Sequence, residues 1–191
     1  IGPDGANGTL DSGAATSNDD SVGVVQLRAT PSPIISSRPV RRNAALPGRP
    51  LANAAAVLQS GEVIWRYHKS LLPTYDVFDE DRYFQPATSN APVDFNGRKV
   101  GLTICEDVWN DRELWPTRLY HRDPISDLAR AGADIFINIS ASPFSLDKAG
   151  VRRRLVRQEA VQHRRYFFYV NQVGGQDELV FDGYSIGIDP D

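Results

Sequence analysis

Between Lys99 and Asn171 three strongly β-prone runs, KVGLTIC (99–105), DIFINIS (134–140) and YFFYVN (166–171), are separated by two stretches with helix signals. Asp123-Pro124 sets an N-cap residue before a proline at the first helical position, and Gly132 closes that helix. A second helix is expected over 151–165. Strands that alternate with helices indicate an α/β fold.

Upstream of this core the chain changes character. Residues 51–68 hold two further β-prone runs, NAAAVL (53–58) and EVIWRYH (62–68), on either side of Gln59-Ser60-Gly61, which reads as a hairpin. Within the second run Val63, Trp65 and Tyr67 point one way and Ile64, Arg66 and His68 the other. Residues 1–21 lack any aromatic residue, Lys or Arg, bury too little apolar surface to offset their ordering entropy, and are expected to be disordered. Over 22–50 a short apolar run, Val22 to Leu27, fits a strand. The rest is rich in arginine and proline (Pro31, Pro33, Pro39, Pro47, Pro50) and is expected to be irregular and free of helix. No Asp or Glu occurs from Ser21 to Gly61.

With 191 residues, 41% hydrophobic, the chain can build one sizeable core. A net charge of -3 gives no reason to expect nucleic acid or an acidic membrane as partner. The run Arg152-Arg153-Arg154 with Arg157, Arg164 and Arg165 therefore reads as a solvated helix face. Cys105 is the single cysteine, so no internal disulfide can form, which fits the cytoplasm. No apolar run is long enough for a bilayer, and no basic-then-apolar start marks a secretory signal. His68, His121 and His163 show no metal-ligand spacing, so no metal site is expected. Gly174-Gly175 has no following helix and reads as a tight turn.

Three strand ends carry reactive groups. The hairpin ends at Lys69, the next strand at Cys105, and a third at Ser140-Ala141-Ser142. Ligands in α/β sheets sit beyond the carboxyl ends of strands, so neighbouring strands would bring a thiol, an ammonium and hydroxyls to one pocket. An ammonium favours the thiolate and stabilises an oxyanion, which makes the set suitable for attack on a carbonyl carbon. Each group also has a plainer reading. A lone cysteine ending a strand is usually a small buried hydrophobe, and a lone lysine a surface residue. Glu106 and Asp107 fit loop charges, and Asp111–Asp123, with Trp115 and Tyr120, fits a longer loop near the cysteine.

At these same residues the sequence resembles a known family. KSLLPTYDVFDEDRYF (69–84), GLTICEDVW (101–109), NISASPF (138–144) and YFFYVNQVGGQDELVFDG (166–183) are similar to successive blocks of the glutaminase domain of glutamine-dependent NAD synthetases. The resemblance implies a nitrilase-type four-layer α-β-β-α sandwich, incomplete at both ends, with a partial carbon-nitrogen hydrolase domain over 51–191. It implies Cys105 as nucleophile, Lys69 as the catalytic lysine and Glu80 as an additional glutamate beside it. Tyr75, Ser142 and Lys148 match residues that hold glutamine. It further implies no cofactor for the glutaminase part, with ATP and magnesium serving only a synthetase domain outside these residues. The implied partners are glutamine, that synthetase domain and further copies of the same enzyme.

The sequence departs from the family at one catalytic position. The family's general-base glutamate precedes the lysine, and the only glutamate before Lys69 is Glu62, at the hairpin turn, in an unmatched context. Weak or absent turnover is therefore expected from the chain alone. Two other readings stay open: another nitrilase-superfamily amidase, or a non-catalytic fragment limited to subunit association.

Overall fold

The computed structural model describes residues 23–25, 34–41, 48–49, 51–111, 114–115 and 117–191. The expected disorder of 1–21 falls outside them. Two sheets form the centre of the fold. The first has four antiparallel strands in chain order: β1 (Gly23–Val25), β2 (Ile34–Arg41), β3 (Leu51–Gln59) and β4 (Glu62–His68). β3 and β4 are the hairpin read from sequence. Its turn is the pair Ser60-Gly61, both at positive φ (52° and 84°), the twist that matches two paired strands. A bulge between Val57 and Leu58 adjusts the register.

The irregular reading of 22–50 is corrected over Ile34–Arg41, which pairs with β3 along its whole length. Proline tolerance explains the difference. Pro39 lies opposite Asn53, whose carbonyl accepts from Lys69 on the other side of β3, so the proline nitrogen faces away from β3. On that side β1 reaches only Ile35–Ser37, and the missing N–H interrupts no ladder.

The second sheet holds five strands in the order β11-β8-β7-β6-β5. β5 (Val93–Phe95) and β11 (Ile186–Ile188) are antiparallel edges around a parallel centre of β6 (Arg98–Ile104), β7 (Ile135–Ser140) and β8 (Tyr166–Asn171). Between them lie one-turn α1 (Glu80–Tyr83), a 3-10 turn (Cys105–Val108), α2 (Pro124–Arg130) and α3 (Lys148–His163). The Asp123 side chain accepts the Ser126 N–H and caps α2 as its sequence implied. α3 begins three residues before the expected boundary. The tight turn read at Gly174-Gly175 is corrected: both glycines lie in β9 (Val173–Gln176), paired with β10 (Leu179–Asp182). The reversal falls at Asp177-Glu178, where Asp177 takes a positive φ of 49°.

Alternate residues of the parallel centre serve two layers. Val100, Leu102 and Ile104 of β6 share the core with Ala55 and Val57 of β3 and Tyr67 of β4, so the two sheets face each other. The other face of the second sheet receives α2 and α3, through Ile125, Leu128, Leu155, Val156 and Ala160. Helix, sheet and sheet are thus three of the four expected layers, and among the described residues neither α2 nor α3 covers the outer face of the first sheet. Gly101 sets the helix approach: a Cβ there would lie 3.1 Å from Phe136, 3.2 Å from Ala133 and 3.3 Å from Leu128. Gly101→Val is expected to cost about 1–3 kcal/mol through overpacking, measured by urea denaturation.

α3 buries Arg152, Leu155, Val156, Glu159 and Ala160, an i, i+3, i+4, i+7, i+8 stripe. The solvated reading of the arginine run holds for Arg153, Arg154, Arg157 and Arg164, which are exposed. It is corrected for Arg152, which is 0% exposed and pairs with Asp182 at 2.7 Å. The helical period puts Arg152 on the core face, and β10 supplies the carboxylate that makes burial tolerable.

Candidate active site

β4 ends at His68, and the next residue continues its ladder, Lys69 N–H donating to the Asn53 carbonyl at 2.8 Å. That anchor turns the Lys69 side chain into the interior, where it is 1% exposed. An unpaired ammonium there would be very costly. Glu80, first residue of α1, meets it: Nζ to Oε1 is 2.6 Å, and the second carboxylate oxygen of Glu80 accepts from the Asn53 amide. Burial pushes the Lys69 ammonium down, but the neighbouring Cys105, Glu80 and Asp107 outweigh it, so its pKa is raised and it stays charged.

Cys105 sits where β6 breaks into the 3-10 turn. Its φ is +44°, a conformation L residues rarely adopt, which projects the side chain off the strand end. Asn138, buried on the adjacent strand β7, donates to the Cys105 carbonyl at 3.4 Å and to Thr103 Oγ1 at 3.0 Å. Burial raises the thiol pKa, Lys69 lowers it, Glu106 and Glu80 raise it, and the Ala141 backbone amide lowers it; the net direction is upward. The resting group is a thiol, and its use as a nucleophile requires a proton acceptor.

The two carboxylates after Cys105 are not loop charges: both are buried. Glu106 accepts the Tyr75 hydroxyl on both oxygens (2.9 and 2.8 Å) and the Tyr120 hydroxyl at 3.1 Å. Burial raises its pKa, while the two tyrosines and Lys69 oppose the rise. Tyr120 arrives from the 111–123 loop, whose role was unreadable in sequence. Asn110 holds that loop, its side-chain amide donating to the Tyr120 and Arg122 carbonyls. Asp107, 1% exposed, accepts four donors from β4, the segment after it and the end of β6.

The remaining expected residues lie on three further segments. Ser142 is buried, its N–H donating to Asn171 Oδ1 at 2.9 Å. Lys148 opens α3 with its Nζ 5.9 Å from the Trp109 ring centroid. Burial lowers its pKa, Cys105 acts to raise it, Arg152 lowers it, and Glu106 and Asp76 raise it, for a net shift downward. Tyr75 is half exposed and acts on Glu106. Glu62 stays exposed at the hairpin turn, roughly 20 Å along β4 from Lys69.

The strands that carry these groups are neighbours only in part. Cys105 and Ser140 end adjacent parallel strands, whereas Lys69 comes from the opposing sheet. The site therefore lies where the two sheets meet. A cysteine in the field of a buried lysine–glutamate ion pair, with further carboxylates and a second ammonium acting on it, can perform nucleophilic acyl transfer. Glu106 and Asp107 were read in sequence only as loop charges, and Asn138 and Asn171 were not singled out there. The first two directly follow the cysteine, but only contacts distant along the chain identify them as buried.

Residues 33–191 match the carbon-nitrogen hydrolase family. Glutamine-dependent NAD(+) synthetases from Synechocystis sp. and Aquifex aeolicus are 44% and 41% identical over 72% and 73% of this chain. The matched part spans only about a quarter of their length, 25% and 23%. A glutamine-dependent NAD+ synthetase structure from Acinetobacter baumannii superposes with a TM-score of 0.69 at 32% identity, covering 81% of this chain and 26% of that one. A carbon-nitrogen hydrolase from Helicobacter pylori shares the fold at a TM-score of 0.67 and 24% identity, over 82% of this chain and 54% of its own. The match from residue 33 onward and the Lys69–Glu80–Cys105 constellation at the junction of the two sheets lead to one assignment: the chain belongs to the carbon-nitrogen hydrolase family.

Proposed function

We propose that this chain hydrolyses the side-chain amide of glutamine, as the glutaminase part of a glutamine-dependent NAD synthetase. The observation that carries the reading is the pair of opposite charges around Cys105. Glu106, held by two tyrosine hydroxyls, is suited to an α-ammonium, and Lys148 to an α-carboxylate. Free glutamine presents both, with a carboxamide at the far end. A simple amide presents neither, so the site is over-equipped for one.

In this mechanism Glu80 takes the Cys105 proton, and the sulfur attacks the carboxamide carbon. Lys69 and backbone amides stabilise the resulting oxyanion. Collapse breaks the carbon–nitrogen bond as the proton passes to the departing ammonia. Water, deprotonated by the same glutamate, then cleaves the γ-glutamyl thioester, releasing glutamate and restoring the thiol. The ammonia would pass to a synthetase domain that uses ATP and magnesium to amidate deamido-NAD. In the same reading the enzyme is a cytoplasmic homo-oligomer with no nucleic-acid or membrane partner. No helix among the described residues is long and apolar enough to cross a membrane.

The test is ammonia release from glutamine by the 191-residue chain beside Cys105→Ala. Slow release that disappears in the variant is expected, because proton transfer through Glu80 alone forgoes the upstream glutamate of the family, worth about 100- to 10,000-fold in typical enzymes. Release unaffected by Cys105→Ala would refute the reading. Lys148→Ala separates glutamine from simple amides: it should raise KM for glutamine and leave a simple amide unaffected.

A further inference from the structure

We propose that Asp107 is the positioning residue that holds Lys69 against Cys105 across the junction of the two sheets. Its four hydrogen bonds divide between the two catalytic segments. Oδ1 accepts the N–H groups of Ser70 (3.0 Å) and Leu71 (2.8 Å), the two residues that follow Lys69. Oδ2 accepts the Tyr67 hydroxyl (2.8 Å), two residues before Lys69, and the N–H of Ile104 (3.0 Å), the residue before Cys105. Lys69 belongs to the first sheet and Cys105 to the second, and one side chain, 1% exposed, grips the backbone beside both.

Position in the fold explains why a clamp is needed. Sheets that face each other through Ala55, Val57, Leu102 and Ile104 are held by apolar contacts, which are non-directional and leave small sliding displacements cheap. Charge stabilisation of a thiolate falls with distance, so a sliding lysine loses its effect. Directional bonds from a single carboxylate remove that freedom. A carboxylate accepts at both oxygens, and here all four bonds are spent on alignment. Asp107 therefore has no direct part in proton transfer. Burial pushes its carboxyl up to about 6, with Lys69 and the Ile104, Tyr67 and Leu71 donors opposing, so it is the four-acceptor form that operates at neutral pH. Lys69, Cys105, Glu106, Glu80 and Arg122 are the other charged or titratable groups around this cluster, together with Tyr67.

The proposal rests on the Cys105–Lys69 pairing of the functional reading but not on glutamine as substrate. Its test therefore uses thiol chemistry. Cys105 is the only cysteine, so iodoacetamide alkylation of the folded chain reports its thiolate directly across pH. Wild type, Lys69→Met, Asp107→Asn and Tyr67→Phe are compared. Positioning and simple charge predict opposite signs for Asp107→Asn. Removing a negative charge beside the site, with nothing else moved, would favour the thiolate and shift the alkylation profile to lower pH. Losing the clamp lets Lys69 withdraw and shifts it to higher pH, toward the Lys69→Met profile, slowing alkylation at neutral pH by about 10-fold.

The higher-pH shift is the expected result; a shift to lower pH, or none, overturns the proposal. If Asp107→Asn fails to fold, Tyr67→Phe decides, since it removes one of the four donors at nearly constant shape. It should shift the profile in the same direction by a smaller amount, and an unchanged profile overturns the proposal. Wild-type and Lys69→Met profiles that coincide would remove the Cys105–Lys69 pairing itself, and with it the role of Asp107. Absence of ammonia release with the profiles ordered as expected would refute only the glutamine reading.

Discussion

Arg152→Ala is expected to destabilise the fold by about 3–5 kcal/mol, the cost of stripping one partner from a buried ion pair. The guanidinium is wholly buried, and its Nη2 meets Asp182 at 2.7 Å while Nη1 donates to the Gly183 carbonyl at 3.2 Å. Truncation leaves Asp182, only 18% exposed, without its cation, and opens a void under α3. Against a total stability of about 5–15 kcal/mol for a domain, that loss decides whether the chain stays folded. The consequence reaches the site. Gly183 also accepts from the Asn171 amide at 2.7 Å, and Asn171 holds the Ser142 N–H at 2.9 Å, so Arg152, Asn171 and Ser142 form one chain of contacts. Removing both charges, Arg152→Met with Asp182→Leu, should recover most of the loss, because a matched apolar pair leaves no charge uncompensated. Urea denaturation of the single and double variants measures this. A single variant within about 1 kcal/mol of wild type would show that the pair carries no such weight.

Lys69→Met is expected to slow Cys105 alkylation at pH 7 by about 10- to 1,000-fold, the range that one close opposite charge commonly produces. The sign follows from the environment of the thiol. Burial already raises its pKa, and Glu106 and Glu80 raise it further, while Lys69 is the principal opposing influence. Only the thiolate reacts, so the wild-type rate should still be climbing above the ordinary cysteine range of about 8.5. Without Lys69 the climb moves to higher pH. Identical profiles for the two proteins would exclude an electrostatic role for this lysine. Methionine preserves the buried aliphatic volume, and a thermal melt of the variant separates lost charge from lost fold.

Local chemistry made much of the fold legible. Ser60-Gly61 supplies the positive φ of the hairpin turn, Asp123-Pro124 starts α2, and the β-prone runs at 99–105, 134–140 and 166–171 became the three parallel strands. Turns, caps and strand preference are decided within a few residues, so a chain displays them directly. The family resemblance also marked Lys69, Glu80, Cys105, Tyr75, Ser142 and Lys148, and the structure pairs Lys69 with Glu80 and sets Tyr75 on Glu106, the residue after Cys105. Proline content misled at β2, because whether Pro39 breaks a strand depends on which side its nitrogen faces, a property of the pairing.

What the sequence by itself determined was the element order and the chemistry available at the strand ends. Only the tertiary structure decided which charges are buried and what they do. Asp107 meets Ser70 and Tyr67 at separations of 37 and 40 residues, and Arg152 meets Asp182 across 30. A charged side chain leaves water only when a distant partner arrives to offset its desolvation, and no local pattern records that arrival.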